Sequence, residues 1–234
     1  MIFCIVHYNT PEMITCEISN ILKFHNDAEI VVFDNSDKKP FKNQSLFKNV
    51  KYIDNTKGQI IDFNKELLKY PNKTTGEQKA SGCNFGSAKH SMSIQWLIDN
   101  IDAPFILCDS DILLKKAIDF IDETKICISD IAHIHGNVYR ITPFICYLNA
   151  PLIKRLNMKF FDPKRMHSLN GLGSLFWYDT GASFYEDLAK HKNLKIHKRI
   201  KNDDYILHCG GGSWRKNYKL FLHTYKDLWI NETV

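Results

Sequence analysis

Three short apolar runs in the first half of the chain each stop abruptly at side chains able to bind a ligand. Ile2 to His7 runs into Tyr8-Asn9-Thr10-Pro11, Glu29 to Phe33 into Asp34-Asn35-Ser36-Asp37, and Pro104 to Cys108 into Asp109-Ser110-Asp111. Runs this short and this apolar read as strands buried on both faces. Segments of helical spacing separate them: Met13, Ile14, Ile18, Ile21 and Leu22 after the first run, and Gly86 or Ser87 to Asn100 before the third. Thr10 is placed to cap the first helix, with Pro11 at its first position and Glu12 in its first turn. Strands alternating with helices build a mostly parallel sheet covered on both faces. Ligands bind such sheets outside the carboxyl ends of the strands. Three polar strand ends at that one edge constrain the chain more than any single motif.

The rest is less regular. Val50 to Ile53 reads as another strand, and Phe63 to Leu68 as a short helix within the polar stretch from Thr56 to Gly82. His133 to Arg140 and Ile141 to Leu148 are further strand candidates. Ser183 to His191 reads as a helix after Asp179-Thr180-Gly181, and Tyr218 to Trp229 as an amphipathic helix.

The 234 residues suffice for one domain with a sizeable core, and 44% hydrophobic with 24% charged residues is an ordinary globular composition. A net charge of +5 suits an anionic ligand or an acidic membrane surface. No Lys/Arg run is dense enough for a basic arm, so nucleic acid is not an expected partner. The seven cysteines are odd in number, lack C-x-x-C spacing and lie partly in apolar runs, which reads as buried free thiols in a reducing compartment. The opening Met-Ile-Phe-Cys-Ile-Val lacks the marks of a signal peptide, and no stretch is long enough to span a bilayer. The expectation is a cytoplasmic protein. Its aromatic, Lys-bearing tail is suited to packing on the core, to a homodimer contact or to peripheral contact with a membrane.

Asp109 and Asp111 carry the sharpest chemistry. Carboxylates at i and i+2 on a chain leaving a buried strand can point to one side, where they repel unless a cation sits between them. Oxygen ligands suit Mg²⁺ or Mn²⁺, which take diphosphate oxygens in turn. The plain alternative is a solvated turn with Asp109 capping a helix. His208, ahead of Gly210-Gly211-Gly212, offers a third metal ligand, or it is a core histidine beside a flexible turn. Asn84 to His90 leads into a helix whose N-terminus favours an anion, with Lys89 adding charge, or it is a plain helix start; the spacing is not that of a P-loop. Asp179 either takes the proton of an attacking hydroxyl or caps the next helix, with Asp203 and Asp204 as rival bases. His133, His135 and His167 have no spacing that defines a second metal site.

Together these residues resemble the family-2 inverting glycosyltransferases of the GT-A fold. Ile5-Val6-His7-Tyr8-Asn9-Thr10-Pro11-Glu12 looks like that family's first strand and nucleotide loop, and Val31 to Ser36 like its second strand end. Asn84-Phe85-Gly86-Ser87-Ala88 matches its N-x-G-x-A helix start, and Phe105 to Leu113 its D-x-D strand. The likeness covers residues 1 to about 115, apart from a long segment near 57–83. It implies a single GT-A domain over 1–234, with a Rossmann-like nucleotide-sugar half (1–115) and an acceptor half (116–234). It further implies donor contacts at Tyr8, Asn9, Asp34, Asn84, Lys89, Asp109 and Ser110, metal at Asp109, Asp111 and His208, and a base at Asp179. In the second half the pair reads Tyr178-Asp179 where the family has Glu-Asp.

The implied reaction moves a sugar, UDP-linked by resemblance, onto a saccharide or lipid-linked saccharide with inversion, as in surface polysaccharide or glycoconjugate synthesis. Other readings stay open. A sugar nucleotidylyltransferase shares the general fold but wants a glycine-rich basic loop where this chain has Tyr8-Asn9-Thr10-Pro11. A phosphohydrolase using Asp109 as nucleophile would carry Thr or Val where Leu113 stands. A non-catalytic nucleotide-sugar-binding or partner subunit would keep the fold without turnover.

Overall fold

The computed structural model describes residues 1–68, 85–135, 138–162, 179–191, 196–210 and 218–230. Strands β1 (Ile2–His7), β2 (Glu29–Asp34) and β3 (Val50–Asp54) pair in parallel, each beside the last. Strand β4 (Pro104–Asp109) returns to the free side of β1, again parallel. With β6 (Cys127–His135), β7 (Val138–Asn149) and β8 (His197–Arg199) they form a seven-stranded sheet in the order β3-β2-β1-β4-β7-β6-β8. Only β7 runs against the others. A separate antiparallel pair joins β5 (Ile112–Leu114) to β9 (Ile206–His208). The architecture is the mostly parallel α/β sheet that the sequence implies.

Strand alternation sorts the core into two faces. Cys4, Val6, Val31, Phe33, Phe105 and Leu107 meet Ile94, Leu97 and Ile98 of α3 (Phe85–Asn100), with Ile153 of α4 (Ala150–Arg155) and Phe184 of α5 (Ala182–Lys190). Phe3, Ile5, Ile30, Val32, Ile106 and Cys108 meet Ile14, Ile18 and Ile21 of α1 (Pro11–Phe24) on the opposite face. Fully burying one such Ile or Phe is worth about 1.5–3 kcal/mol, so a one-residue slip of any strand would be prohibitive. A short α2 (Phe63–Leu68) follows β3, matching its expected span.

Several local expectations are corrected. Thr10 precedes α1, but its hydroxyl makes no cap; Oγ1 is buried without a hydrogen-bond partner among the described residues. The Thr10 N–H instead donates to His7 Nε2 at 3.0 Å, tying the helix start to the end of β1. The two strands expected at 133–140 and 141–148 divide elsewhere: β6 runs to His135 and β7 begins at Val138. The tail is not one helix to Trp229. It forms α6 (Tyr218–Thr224) and then a 3₁₀ turn over Lys226–Leu228. Leu222, Phe221 and Trp229 of this tail pack on Met13 and Cys16 of α1 and Leu113 of β5, so its apolar side is used against the body. The six described cysteines are free, and Cys4, Cys16, Cys108, Cys127 and Cys146 are buried. Among the described residues no helix is long and apolar enough to cross a membrane.

Candidate metal and nucleotide site

Chain order places the site. From β1 the chain steps outward through β2 and β3, then β4 inserts on the other side of β1. The carboxyl ends of β1 and β4 therefore flank the point where strand order reverses, where open α/β sheets take ligands. Val6 pairs with Asp109 and His7 with Asp34 across this edge.

Asp109 closes β4, and the chain turns through Ser110 and Asp111 into β5. The β5–β9 ladder sets His208 opposite Ile112, and the Cys209 N–H donates to the Asp111 carbonyl at 2.9 Å. Backbone pairing thus delivers the histidine to the carboxylates. One ligand atom from each of Asp109, Asp111 and His208 lies within 4.8 Å of the others, and His208 Nε2 is 3.1 Å from Asp111 Oδ1. Asn20 of α1 braces this turn: its Oδ1 accepts from the Leu114 N–H at 2.6 Å, and its Nδ2 donates to the Leu114 carbonyl at 3.0 Å. Phe144 stacks on His208 with ring centroids 4.0 Å apart.

The electrostatics fit a cation. Burial pushes the Asp109 carboxyl up, opposed by His90 and reinforced by Asp111. Burial pulls the His208 imidazole down, yet the hydrogen bond and charge of Asp111, with Asp109 behind it, raise it overall. Two crowded carboxylates with one imidazole are a donor set that suits a divalent ion with mixed oxygen and nitrogen ligands.

Glu17 of α1 adds a third acid behind this pair. It is fully buried, and neither carboxyl oxygen has a hydrogen-bond partner among the described residues. Burial first, then the charges of Asp111 and Asp109, hold its carboxyl well above the usual range. With the folded value raised, its contribution to stability is intact below the ordinary glutamate range and is lost as pH rises through the raised value. Glu17→Met is expected to stabilise the metal-free protein by about 1–3 kcal/mol at pH 8 and by less near pH 4. Melting curves at both pH values check this; a variant that melts lower at both would mean the carboxyl is engaged in the native state.

The expected donor contacts divide. Tyr8 is 37% exposed at the mouth of the edge. Ser110 lies in the turn between the two acids. Asp34 is fully buried, and both its oxygens are occupied: Oδ1 by His7 Nδ1 at 3.0 Å and the Ser36 N–H at 2.8 Å, Oδ2 by the Phe41 N–H at 2.7 Å and the Tyr52 hydroxyl at 2.9 Å. Burial alone would raise this carboxyl, but the hydrogen bonds from His7, Ser36 and Phe41 hold it at about 2. A nucleotide would reach Asp34 only by displacing one of these donors. Asn9, at a left-handed φ of 58°, takes the Lys38 and Lys39 N–H groups on its side-chain oxygen and donates to Asp37 at 2.6 Å. Asp34 and Asn9 thus shape the loop after β2. The Lys89 ammonium lies 5.5 Å from the Phe63 ring centroid, and the α3 residue that meets Asp109 is His90, with Nε2 3.3 Å from Oδ1. Asn84 and His167 lie outside the described residues.

Asp179 is not a side-chain cap of α5. Its Oδ1 accepts from Ser87 Oγ at 2.5 Å and from the Thr180 N–H at 2.7 Å, while Oδ2 accepts from Arg140 Nη1 at 2.6 Å. Asp203 and Asp204 are exposed in a 3₁₀ turn ahead of β9, beyond the end of the ladder opposite Asp111 and His208.

Arg140, Phe144 and His90 were not found as site residues from sequence. Ser87 and His90, three apart on one helix face, meet Asp179 and Asp109, which is the one spacing signal available. Arg140 carries no such signal, because its relation to the site is made by β7 alone.

No family model matches this sequence, and no curated protein matches it either. Among solved structures, galactosyltransferase LgtC in complex with donor and acceptor sugar analogs aligns with 86% of this chain and 74% of its own, at 10% identity and a TM-score of 0.47. An active-site mutant of LgtC aligns with 86% of this chain and 73% of its own, at 10% identity and a TM-score of 0.49. Both are loose likenesses, and the site stands on its own geometry.

Proposed function

We propose that the chain is a metal-dependent glycosyltransferase that uses a nucleoside-diphosphate sugar, UDP-linked in our reading, and transfers the sugar with inversion to a saccharide or lipid-linked acceptor. The observation that carries this is the convergence of Asp109, Asp111 and His208 at the switch point of a parallel sheet. These three residues would hold Mn²⁺ or Mg²⁺, which supplies charge neutralisation to a departing diphosphate. In this reading Tyr8, which is exposed, would lie against the base, and Ser110, between the two acids, would contact the diphosphate. Asp179, held at Oδ1 by Ser87 and Thr180 and at Oδ2 by Arg140, would receive on the remaining lone pair of Oδ2 the proton of the acceptor hydroxyl as that hydroxyl's oxygen bonds to the anomeric carbon and the bond to the diphosphate breaks.

Asp179→Asn keeps the shape of the side chain and removes the base. Transfer is expected to fall by roughly a hundredfold or more while nucleotide binding is retained. Turnover measured with a nucleotide-sugar and a saccharide acceptor checks this, and near-normal turnover would remove Asp179 from the proton transfer.

A further inference from the structure

We infer that Arg140 is a diphosphate-binding residue of this site and makes it prefer nucleoside diphosphates over monophosphates; this rests on the nucleotide-sugar reading above. Arg140 lies at the start of β7, the antiparallel strand that brings its N-terminal end to the carboxyl edge of β4. Cys108 pairs with Ile145, so Phe144 follows beside Asp109, and Arg140 lies four residues further back on β7, opposite Ala132 of β6. The guanidinium carbon lies 5.7 Å from the Phe144 ring centroid, and that ring stacks on His208. The charge of Arg140 acts on both Asp109 and His208.

Its bonding is incomplete. A guanidinium has five N–H donors in a planar fork. Among the described residues one hydrogen bond is formed, from Nη1 to Asp179, although the side chain is only 18% exposed. Asp179 therefore fixes the plane of the fork and leaves donors for a planar or tetrahedral anion. A diphosphate bound through a divalent cation held by Asp109, Asp111 and His208 would bring its negative charge toward those donors. Arginine suits phosphate because two N–H groups can be shared between two oxygens.

The test is calorimetric titration of UDP and UMP, with GDP and GMP as a second pair, each with Mn²⁺ present. Wild type is expected to favour the diphosphate. Arg140→Gln should lose about tenfold to a hundredfold in diphosphate affinity, with monophosphate and Mn²⁺ binding unchanged. Arg140→Lys should recover only part, since it restores charge without the fork. An undiminished preference in Arg140→Gln, or equal loss of monophosphate and Mn²⁺ binding, would overturn the inference and leave the nucleotide-sugar reading standing. Wild type that binds no nucleotide at all would overturn both.

Discussion

Asp111→Ala is expected to weaken Mn²⁺ binding by a hundredfold or more, an effect larger than the ten- to hundredfold that supporting residues around metals typically carry. Asp111 does two things at once. It offers a carboxylate within 4.8 Å of the other two ligands, and it holds His208 at 3.1 Å. Removing it leaves Asp109 with an imidazole no longer oriented toward the site. The loss is separable from unfolding, because the charge of Asp111 raises the proton affinity of both Asp109 and Glu17 in the metal-free protein. Deleting one of these charges relieves repulsion, so the variant should melt no lower than wild type in chelator. With Mn²⁺ added, wild type gains stability by mass action and the variant does not. Paramagnetic resonance of free Mn²⁺ gives the affinity directly. Equal Mn²⁺ binding by both proteins would show that Asp111 is not a ligand.

Gly181→Ala is expected to cost about 3–5 kcal/mol, combining the left-handed backbone penalty with a steric clash in a packed core. Gly181 has φ +87°, and a Cβ built there would lie 2.4 Å from the Ile141 carbonyl oxygen and 2.9 Å from its Cγ1. The first obstacle is backbone in β7, so no rotamer change relieves it. At about 2–4 °C per kcal/mol for a chain of this size, the melting temperature should fall by roughly 10 °C. Relaxation would push the start of α5 away from β7 and separate Asp179 from Arg140. Transfer activity should therefore fall even below the new melting point. A variant that melts within a degree or two of wild type would mean that the close approach is not a constraint.

How far the sequence disclosed these features follows from which forces set each one. The alternating sheet was legible because continuous apolar runs and turn clusters are local signals, and β1, β2, β3 and β4 fall where those runs do. Asp109 and Asp111 were legible for the same reason, since two residues leaving one strand need no distant partner. His208 was legible only as one of two options, because its place depends on β9 pairing with β5 across nearly a hundred residues of sequence. The loop-bracing bonds of Asp34 and Asn9 were not legible. Polar residues at a strand end look alike whether they face a ligand or brace the next loop, and only the occupied oxygens of Asp34 separate the two. Thr10 misled through a strong local rule, because His7 Nε2 takes its N–H and leaves its hydroxyl out of the cap. Arg140 was invisible because no local pattern ties a residue at the start of β7 to acids at the end of β4.

The most direct test of the account is a thermal-shift screen of UDP, GDP, CMP and dTDP, each with and without Mn²⁺, on wild type and Asp111→Ala. The account predicts that one nucleoside diphosphate stabilises wild type, only when Mn²⁺ is present, and that the shift is absent in the variant. A flat response of wild type to every nucleotide, with and without metal, would contradict it.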